Sequence, residues 1–320
     1  MRRMLSLFVV VVFALTAQDK TRKIAVKDDP EQIGNRKVAK GWNLYSIEKE
    51  IALGKAMADE LQRNVRIVDD PVISEYVNRL GQNLVRNSDA EVPFTTKVID
   101  DESVNAMAFP GGFLFVNVGL LLNAESEAEV AAVMAHEIAH VAARHGTRQE
   151  SAGRVIGWAT LPTIFMGGGW AGVGVRQGLQ LAIPMTYLKF SRGYEAEADN
   201  LGLQYMYKTG YDPAAFIDFF ERVQAMEKKK KGTINALFGS HPVTGSRIKD
   251  AQKHIERNLA PRPEYVVTSA EFSKVKSRLT MLRNRRQIDT KDPDGPTLRR
   301  SPQSPDSPED PPRLERRAAE

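Results

Sequence analysis

Apolar residues recur three or four positions apart over much of the chain, which is the spacing of amphipathic helices. The clearest case is residues 71–86, where Asp70 can cap a helix and Pro71 suits its first turn. Ser126 and Glu129 form a capping box at the start of another helix. Further helical patterns cover residues 46–63, 126–146, 186–208, 213–226, 244–259 and 269–285. A mainly helical fold is therefore expected.

Three shorter segments, all between residues 92 and 118, have the composition of strands. They cover residues 92–99, 104–109 and 113–118, and a Pro-Gly-Gly turn at 110–112 separates the last two. We therefore predict an α+β fold, mainly helical, with a small antiparallel sheet beside the helix that follows the strands.

That helix contains His136-Glu137-Ile138-Ala139-His140, an HExxH sequence. Residues four apart on an α-helix differ by about 40° in direction, so His136 and His140 can bind one small cation. Glu137 lies on the same half of the helix, where it can act as a general base without being a ligand. Two surface histidines are the alternative, but the rest of the helix is apolar and is expected to be buried.

A catalytic zinc site needs a third protein ligand and an open position. Glu195 is the strongest candidate, because Asp199 follows four positions later on the same helix face. Asp199 could then accept a hydrogen bond from a ligating histidine. An acidic, solvated helix face is the alternative interpretation of this segment. Glu197 is two positions from Glu195 and is expected to point elsewhere.

HExxH at 136–140 and ExxAD at 195–199 together resemble the HtpX-like and CaaX-prenyl-protease-like zinc metallopeptidases. The resemblance is closest to their soluble periplasmic, BepA-like branch of outer-membrane quality-control proteases. It extends over about residues 41–260 and includes Asn105–Gly112 and Ser240-His241-Pro242.

This resemblance implies a zincin-type zinc metallopeptidase with one Zn²⁺ per chain. The implied metal ligands are His136, His140 and Glu195. Glu137 is the implied general base, and Asp199 is the implied supporting carboxylate. In BepA-like proteins the histidine that matches His241 can approach the metal and hold the enzyme latent. Alternatively, His241 or Arg247 donates to the oxyanion formed in catalysis. A solvent-exposed turn histidine is the third interpretation of His241.

The two remaining histidines are not predicted to be ligands. His145 is nine positions from His136, so on a continuous helix it would point to the opposite side. His254 lies on a polar helix and is expected at the surface.

An extended substrate also needs a strand beside the metal, and we expect residues 113–118 to line that cleft.

The ends of the chain predict its domain organisation. Residues 1–17 predict a signal peptide, because Arg2 and Arg3 precede a largely apolar run too short to span a bilayer. An uncleaved anchor is the alternative. Residues 18–40 are then an N-terminal extension, 41–287 a single zinc metallopeptidase domain and 288–320 a disordered tail, which holds 7 of the 17 prolines. The chain contains no cysteine, which excludes disulfides.

Residues 155–175 are uncharged but contain six glycines and one proline. Their length would suffice for a membrane helix, but their composition favours a mobile segment that faces a membrane or covers the site. The net charge of +5 is modest, and the lysine run at 228–231 lacks interleaved aromatic residues, so nucleic-acid binding is not expected.

The function predicted is zinc-dependent endoproteolysis of exported polypeptides, misfolded or membrane-associated, in a periplasmic or secreted location. Contacts with a membrane surface or with outer-membrane assembly are further expected partners. One alternative is a latent protease that acts mainly as a chaperone or assembly factor for outer-membrane proteins. The other is an integral membrane protease with residues 155–175 inserted.

Overall fold

The computed structural model describes residues 24–156, 190–229 and 241–291. The predicted signal peptide at 1–17, residues 157–175 of the glycine-rich segment and residues 292–320 of the predicted tail lie outside the described residues. Among the helices that the structure does describe, none combines the length and the apolar character needed to cross a bilayer.

Helices dominate the described residues, and three short strands lie between the second and third helices. The helices are α1 Ile47–Asn64, α2 Pro71–Arg86, α3 Val118–Asn123, α4 Glu127–Ala142, α5 His145–Ile156, α6 Arg192–Thr209, α7 Ala214–Lys229, α8 Gly245–Asn258 and α9 Ala270–Lys291. The strands are β1 Thr95–Ile99, β2 Ala106–Phe109 and β3 Phe113–Asn117. Two short 3₁₀ helices, Val26–Asp28 and Pro30–Gln32, precede them. The predicted α+β, mainly helical class is confirmed.

Local capping explains why several predicted helix boundaries are correct. The Asp70 side chain accepts a hydrogen bond of 3.2 Å from the Ile73 amide, and α2 has the predicted bounds. Ser126 accepts one of 3.3 Å from the Glu129 amide at the start of α4. The Glu129 carboxylate in turn accepts a bond from the Glu125 amide, one residue before the position that a standard capping box uses.

The sheet is mixed, which corrects the prediction of an antiparallel sheet. Strand β3 lies in the centre, parallel to β1 and antiparallel to β2. The turn at 110–112 makes β2 and β3 a hairpin, while the chain between β1 and β2 crosses to the far side of β3. The chain reverses its direction twice between β1 and β3, once before β2 and once at the turn after it, so β1 and β3 run in the same direction.

Helix α4 forms the centre of the fold, and all of its residues are buried. It packs against α2, α6, α7 and the sheet. The contact with α6 is especially close at Gly202, where an added Cβ would lie 3.1 Å from the His136 amide nitrogen. The absence of a side chain at Gly202 therefore lets the two backbones approach, and this approach brings the acidic segment of α6 to the HExxH histidines.

Helix α4 ends at Ala142, four residues before the predicted end. Arg144 adopts a left-handed conformation with φ of 57°, and α5 begins at the next residue. The Arg144 guanidinium is held 2.7 Å from Glu50 Oε2 and 2.7 Å from the Tyr45 carbonyl oxygen. These contacts with a distant part of the sequence fix the break between the two helices.

Candidate metal centre

Three of the predicted ligands converge at the contact between α4 and α6. The Nε2 atoms of His136 and His140 are 3.1 Å apart, and each lies 3.5 Å from an oxygen of Glu195. Three ligands bound to zinc at about 2.0–2.1 Å in a tetrahedral arrangement would be separated by roughly 3.3 Å. The donor set and its spacing therefore fit a single metal ion.

Asp199 supports His136 from behind, as the sequence pattern led us to expect. Its Oδ1 lies 3.0 Å from His136 Nδ1, on the side of the ring away from the other donors. Burial raises the pKa of Asp199, but hydrogen bonds from Arg247 and His136 outweigh it and hold the pKa below its ordinary value. A charged carboxylate is thus maintained where it can orient the His136 ring.

All three nitrogens of the Arg247 guanidinium contact protein groups. Its guanidinium donates to both oxygens of Asp199, at 2.7 and 2.6 Å, and lies 2.9 Å from Glu195 Oε2. It also donates to the carbonyl oxygens of His241 and Pro242. These contacts favour a role in positioning the two carboxylates over the predicted role as an oxyanion donor, for which a free N–H would be needed.

Glu137 is buried beside the donor cluster. The amide of Ala108 in β2 donates a hydrogen bond of 3.0 Å to Glu137 Oε2. Burial raises the pKa of Glu137, and the nearby histidines counteract this only in part. The sheet therefore holds this carboxylate through Oε2, while Oε1 lies on the side of His241.

His241 is the fourth member of the cluster. Its Nδ1 lies 2.7 Å from Glu195 Oε1 and 3.4 Å from His136 Nε2, and its Nε2 lies 3.5 Å from Glu137 Oε1. Donor atoms of His136, His140, Glu195 and His241 all lie within 4.8 Å of one another. Because His241 is buried, the interpretation as a solvent-exposed turn histidine is wrong.

Sequence reasoning missed the positions of His145, Glu197 and His254. The break at Arg144 turns His145 back towards the site, and its Nδ1 lies 2.9 Å from His140 Nδ1. The predicted opposite orientation was wrong because it assumed one continuous helix. Glu197 lies outside the donor cluster, as expected, but contacts His145 Nε2 at 3.1 Å. His254, expected at the surface, is buried on the inner face of α8.

Strand β2, and not residues 113–118 as expected, contacts Glu137 beside the donor cluster. Strand β3 pairs on both sides, so its backbone groups cannot bind another strand. Strand β2 forms the edge of the sheet, and its Ala108 amide already contacts Glu137. Phe190 also packs against the site, with its ring stacked on His140 at a centroid distance of 4.1 Å.

The family model described as peptidase family M48 matches residues 71–255, which is more than half of the chain. The chain belongs to peptidase family M48. Membership of this family confirms the resemblance that the two motifs indicated, and it confirms the predicted zincin-type fold. In this family M48 member, the buried cluster of three histidines and a glutamate fits a bound metal ion.

Named relatives of this family M48 chain are proteases. A beta-barrel assembly-enhancing protease of Yersinia pestis is 30% identical over an alignment of 242 residues, and the match covers 72% of this chain and 49% of that protein. The mitochondrial metalloendopeptidase OMA1 of Schizosaccharomyces pombe is 31% identical over 56% of this chain and 52% of its own length. The metalloprotease LoiP of Escherichia coli is 27% identical over 66% of this chain and 83% of its own. The chain spans about half the length of the beta-barrel assembly-enhancing proteases that it matches.

Proposed function

We propose that this chain is a zinc-dependent metalloendopeptidase, with one Zn²⁺ held by His136, His140 and Glu195. The observation that carries the proposal is the convergence of these three side chains on one point, with a buried carboxylate beside them. Two imidazoles and a carboxylate form a donor set that suits zinc. A purely structural zinc would need no neighbouring base, so the buried Glu137 favours a catalytic site.

When bound, the metal would lower the pKa of a water molecule towards neutrality and polarise the scissile carbonyl group. Glu137 takes a proton from this water as the water oxygen attacks the carbonyl carbon. In the metal-free chain, burial raises the pKa of the Glu137 carboxyl group above its ordinary value. The same carboxyl group then delivers the proton to the amine nitrogen as the C–N bond breaks.

The negative charge that develops on the carbonyl oxygen needs a further donor. Arg247 is occupied by Asp199, Glu195 and two carbonyl oxygens, so we propose that it holds the carboxylates in place. His241 is the remaining candidate among the residues predicted to be catalytic. Its ring would have to turn away from Glu195 Oε1 before its N–H could reach a substrate.

The activity is tested by incubating the purified full chain with casein and measuring the peptides released. We expect cleavage that a chelator such as phenanthroline abolishes and added zinc restores, with about one zinc per chain by elemental analysis. A serine-protease inhibitor serves as the control and should leave cleavage unchanged. Cleavage that persists in the metal-free protein would contradict the proposal.

We further propose that the substrates are exported polypeptides that are misfolded or membrane-associated, and that the chain acts in the periplasm or is secreted. The signal-peptide pattern at residues 1–17 and the naming of relatives as beta-barrel assembly-enhancing proteases support this proposal. We expect the purified chain to cleave an outer-membrane β-barrel protein diluted from urea, but not the same protein folded in detergent. Equal cleavage of both forms would argue against selection of misfolded substrates.

The position of His241 favours a latent form of the enzyme as a second functional state. Its Nδ1 contacts both Glu195 and His136, so the ring occupies a fourth donor position beside the three proposed ligands. In this state the chain could act as an assembly factor without cleaving its client.

Substitution of His241 by alanine is expected to increase casein cleavage, because it clears this position while leaving His136, His140 and Glu195 in place. The increase should be measured as kcat/KM on a peptide substrate at saturating zinc. His254→Ala is the matched control, since it removes another buried histidine from outside the donor cluster. If His241 instead served as the oxyanion donor, cleavage would fall by about 10²–10³-fold.

A further inference from the structure

Two side chains next to the metal donors have no part in the mechanism above. His145 is completely buried, and its Nδ1 lies 2.9 Å from His140 Nδ1. Its other ring nitrogen, Nε2, lies 3.1 Å from Glu197 Oε2. Arg148 Nη1 lies 3.4 Å from the same Glu197 oxygen. The four side chains form a continuous line of contacts from the donor cluster outwards.

The direction of these hydrogen bonds follows from counting protons. Two ring nitrogens 2.9 Å apart can share only one hydrogen, so either His140 or His145 is the donor at this contact. His140 must present an unprotonated Nε2 to a metal, which places its proton on Nδ1. His140 therefore donates to His145 Nδ1. The proton of the neutral His145 ring then lies on Nε2, where it donates to Glu197.

We propose that His145 and Glu197 are positioning residues for His140, and that they fix its metal-binding tautomer as Asp199 does for His136. The inference rests on the zinc site proposed above and extends it to residues that neither zinc-binding motif would identify. His136 is supported directly by the Asp199 carboxylate, whereas His140 is supported by the Glu197 carboxylate through the His145 imidazole. The two histidine ligands are thus supported asymmetrically.

The N-terminal part of α6 supplies most of the contacts that hold His145 in place. Tyr194 stacks on the His145 ring with centroids 4.5 Å apart and an interplanar angle of 21°. The first two turns of α6 provide Glu195 to the donor cluster and Glu197 to His145. Arg148 in α5 lies over the Tyr194 ring and close to Glu197, so the ring and the carboxylate are held together. These contacts restrict His145 to the orientation in which Nδ1 faces His140.

The test measures zinc affinity, by competition with a chromophoric chelator, and the absorption spectrum of the cobalt-substituted protein. We expect His145→Leu to weaken zinc binding by about 10–100-fold and to alter the cobalt spectrum. His145→Asn retains an acceptor near the position of Nδ1 and is expected to restore most of the affinity. His254→Leu is the matched control and should leave zinc affinity within twofold of the unmodified protein.

Glu197→Gln provides a second route, since this half-buried side chain can be changed without emptying the core. We expect a smaller loss of zinc affinity, and no additional loss when it is combined with His145→Leu, because the pair acts through one contact. If His145→Leu fails to fold, the effect of Glu197→Gln alone decides. Unchanged zinc affinity and cobalt spectrum in these variants would overturn the inference. Failure of the unmodified protein to bind zinc would instead overturn the proposed function.

Discussion

Replacement of Glu137 by glutamine is expected to abolish peptide hydrolysis and to leave zinc binding intact. Glutamine has the same shape as glutamate, and its carbonyl oxygen can still accept the hydrogen bond from the Ala108 amide. It cannot, however, take a proton from the attacking water. Loss of a general base typically lowers kcat by about 10²–10⁴-fold. Zinc should remain, because the donor cluster contains His136, His140, Glu195 and His241 but not Glu137.

The measurement pairs kcat on a fluorogenic peptide with zinc content by elemental analysis. Glu127→Gln is a suitable control, because it makes the same substitution in a buried carboxylate of the same helix. Glu127 lies far from the donors and accepts hydrogen bonds from Tyr211 and Ser269, so its replacement should lower stability without removing activity. Unchanged turnover in Glu137→Gln would refute the role assigned to Glu137.

The parts of the fold that were predicted correctly depend on short-range interactions. Apolar spacing and the Asp70 cap specify α2 within one continuous stretch of sequence. His136 and His140 meet because an α-helix places residues four apart on one side, and this requires no information about the rest of the chain. The sequence motif alone therefore predicted this half of the donor set.

The errors arose where distant contacts decide the structure. Glu50, 94 positions before Arg144, helps to fix the left-handed residue that ends α4, and no local signal marks it. Because one continuous helix was predicted over this break, the contact between His145 and His140 was not predicted. The prediction that all strands are antiparallel was wrong for a similar reason, since the parallel pairing of β1 with β3 depends on packing and not on the turn between neighbours. The buried position of His254 likewise follows from the packing of α8 against α6.

The placement of Glu195 depends on both a local pattern and a distant contact. The spacing of Glu195 and Asp199 predicted that they share a face of a helix, but only the resemblance indicated that this face meets α4. The structure supplies a physical reason, because Gly202 lets α6 approach the backbone of His136. A glycine within a helical pattern was thus a usable signal of close packing, although it does not identify the neighbouring helix.

Glu195→Gln is expected to abolish stoichiometric zinc binding and hydrolysis together, in contrast to Glu137→Gln. A neutral amide oxygen replaces the only charged donor of the three proposed ligands, so zinc affinity should fall by well over tenfold. Loss of bound zinc also removes its stabilising effect, about 4 kcal/mol when zinc exceeds its Kd a thousandfold. Zinc content and the midpoint of urea unfolding, each with and without added zinc, measure both effects. Retention of about one zinc per chain would contradict Glu195 as a ligand.

The metal-free proteins should differ in a pH-dependent way. Burial raises the pKa of Glu195, but hydrogen bonds with His136 and His241 outweigh it and hold the pKa far below its ordinary value. A carboxyl group whose pKa is lowered by folding stabilises the folded protein above its ordinary pKa, and this stabilisation is lost as the pH falls towards the folded value. In the presence of chelator, Glu195→Gln should therefore be less stable than the unmodified chain at neutral pH. The difference in unfolding free energy should shrink below about pH 4, and a difference that stayed constant with pH would mean that the Glu195 charge does not stabilise the metal-free fold.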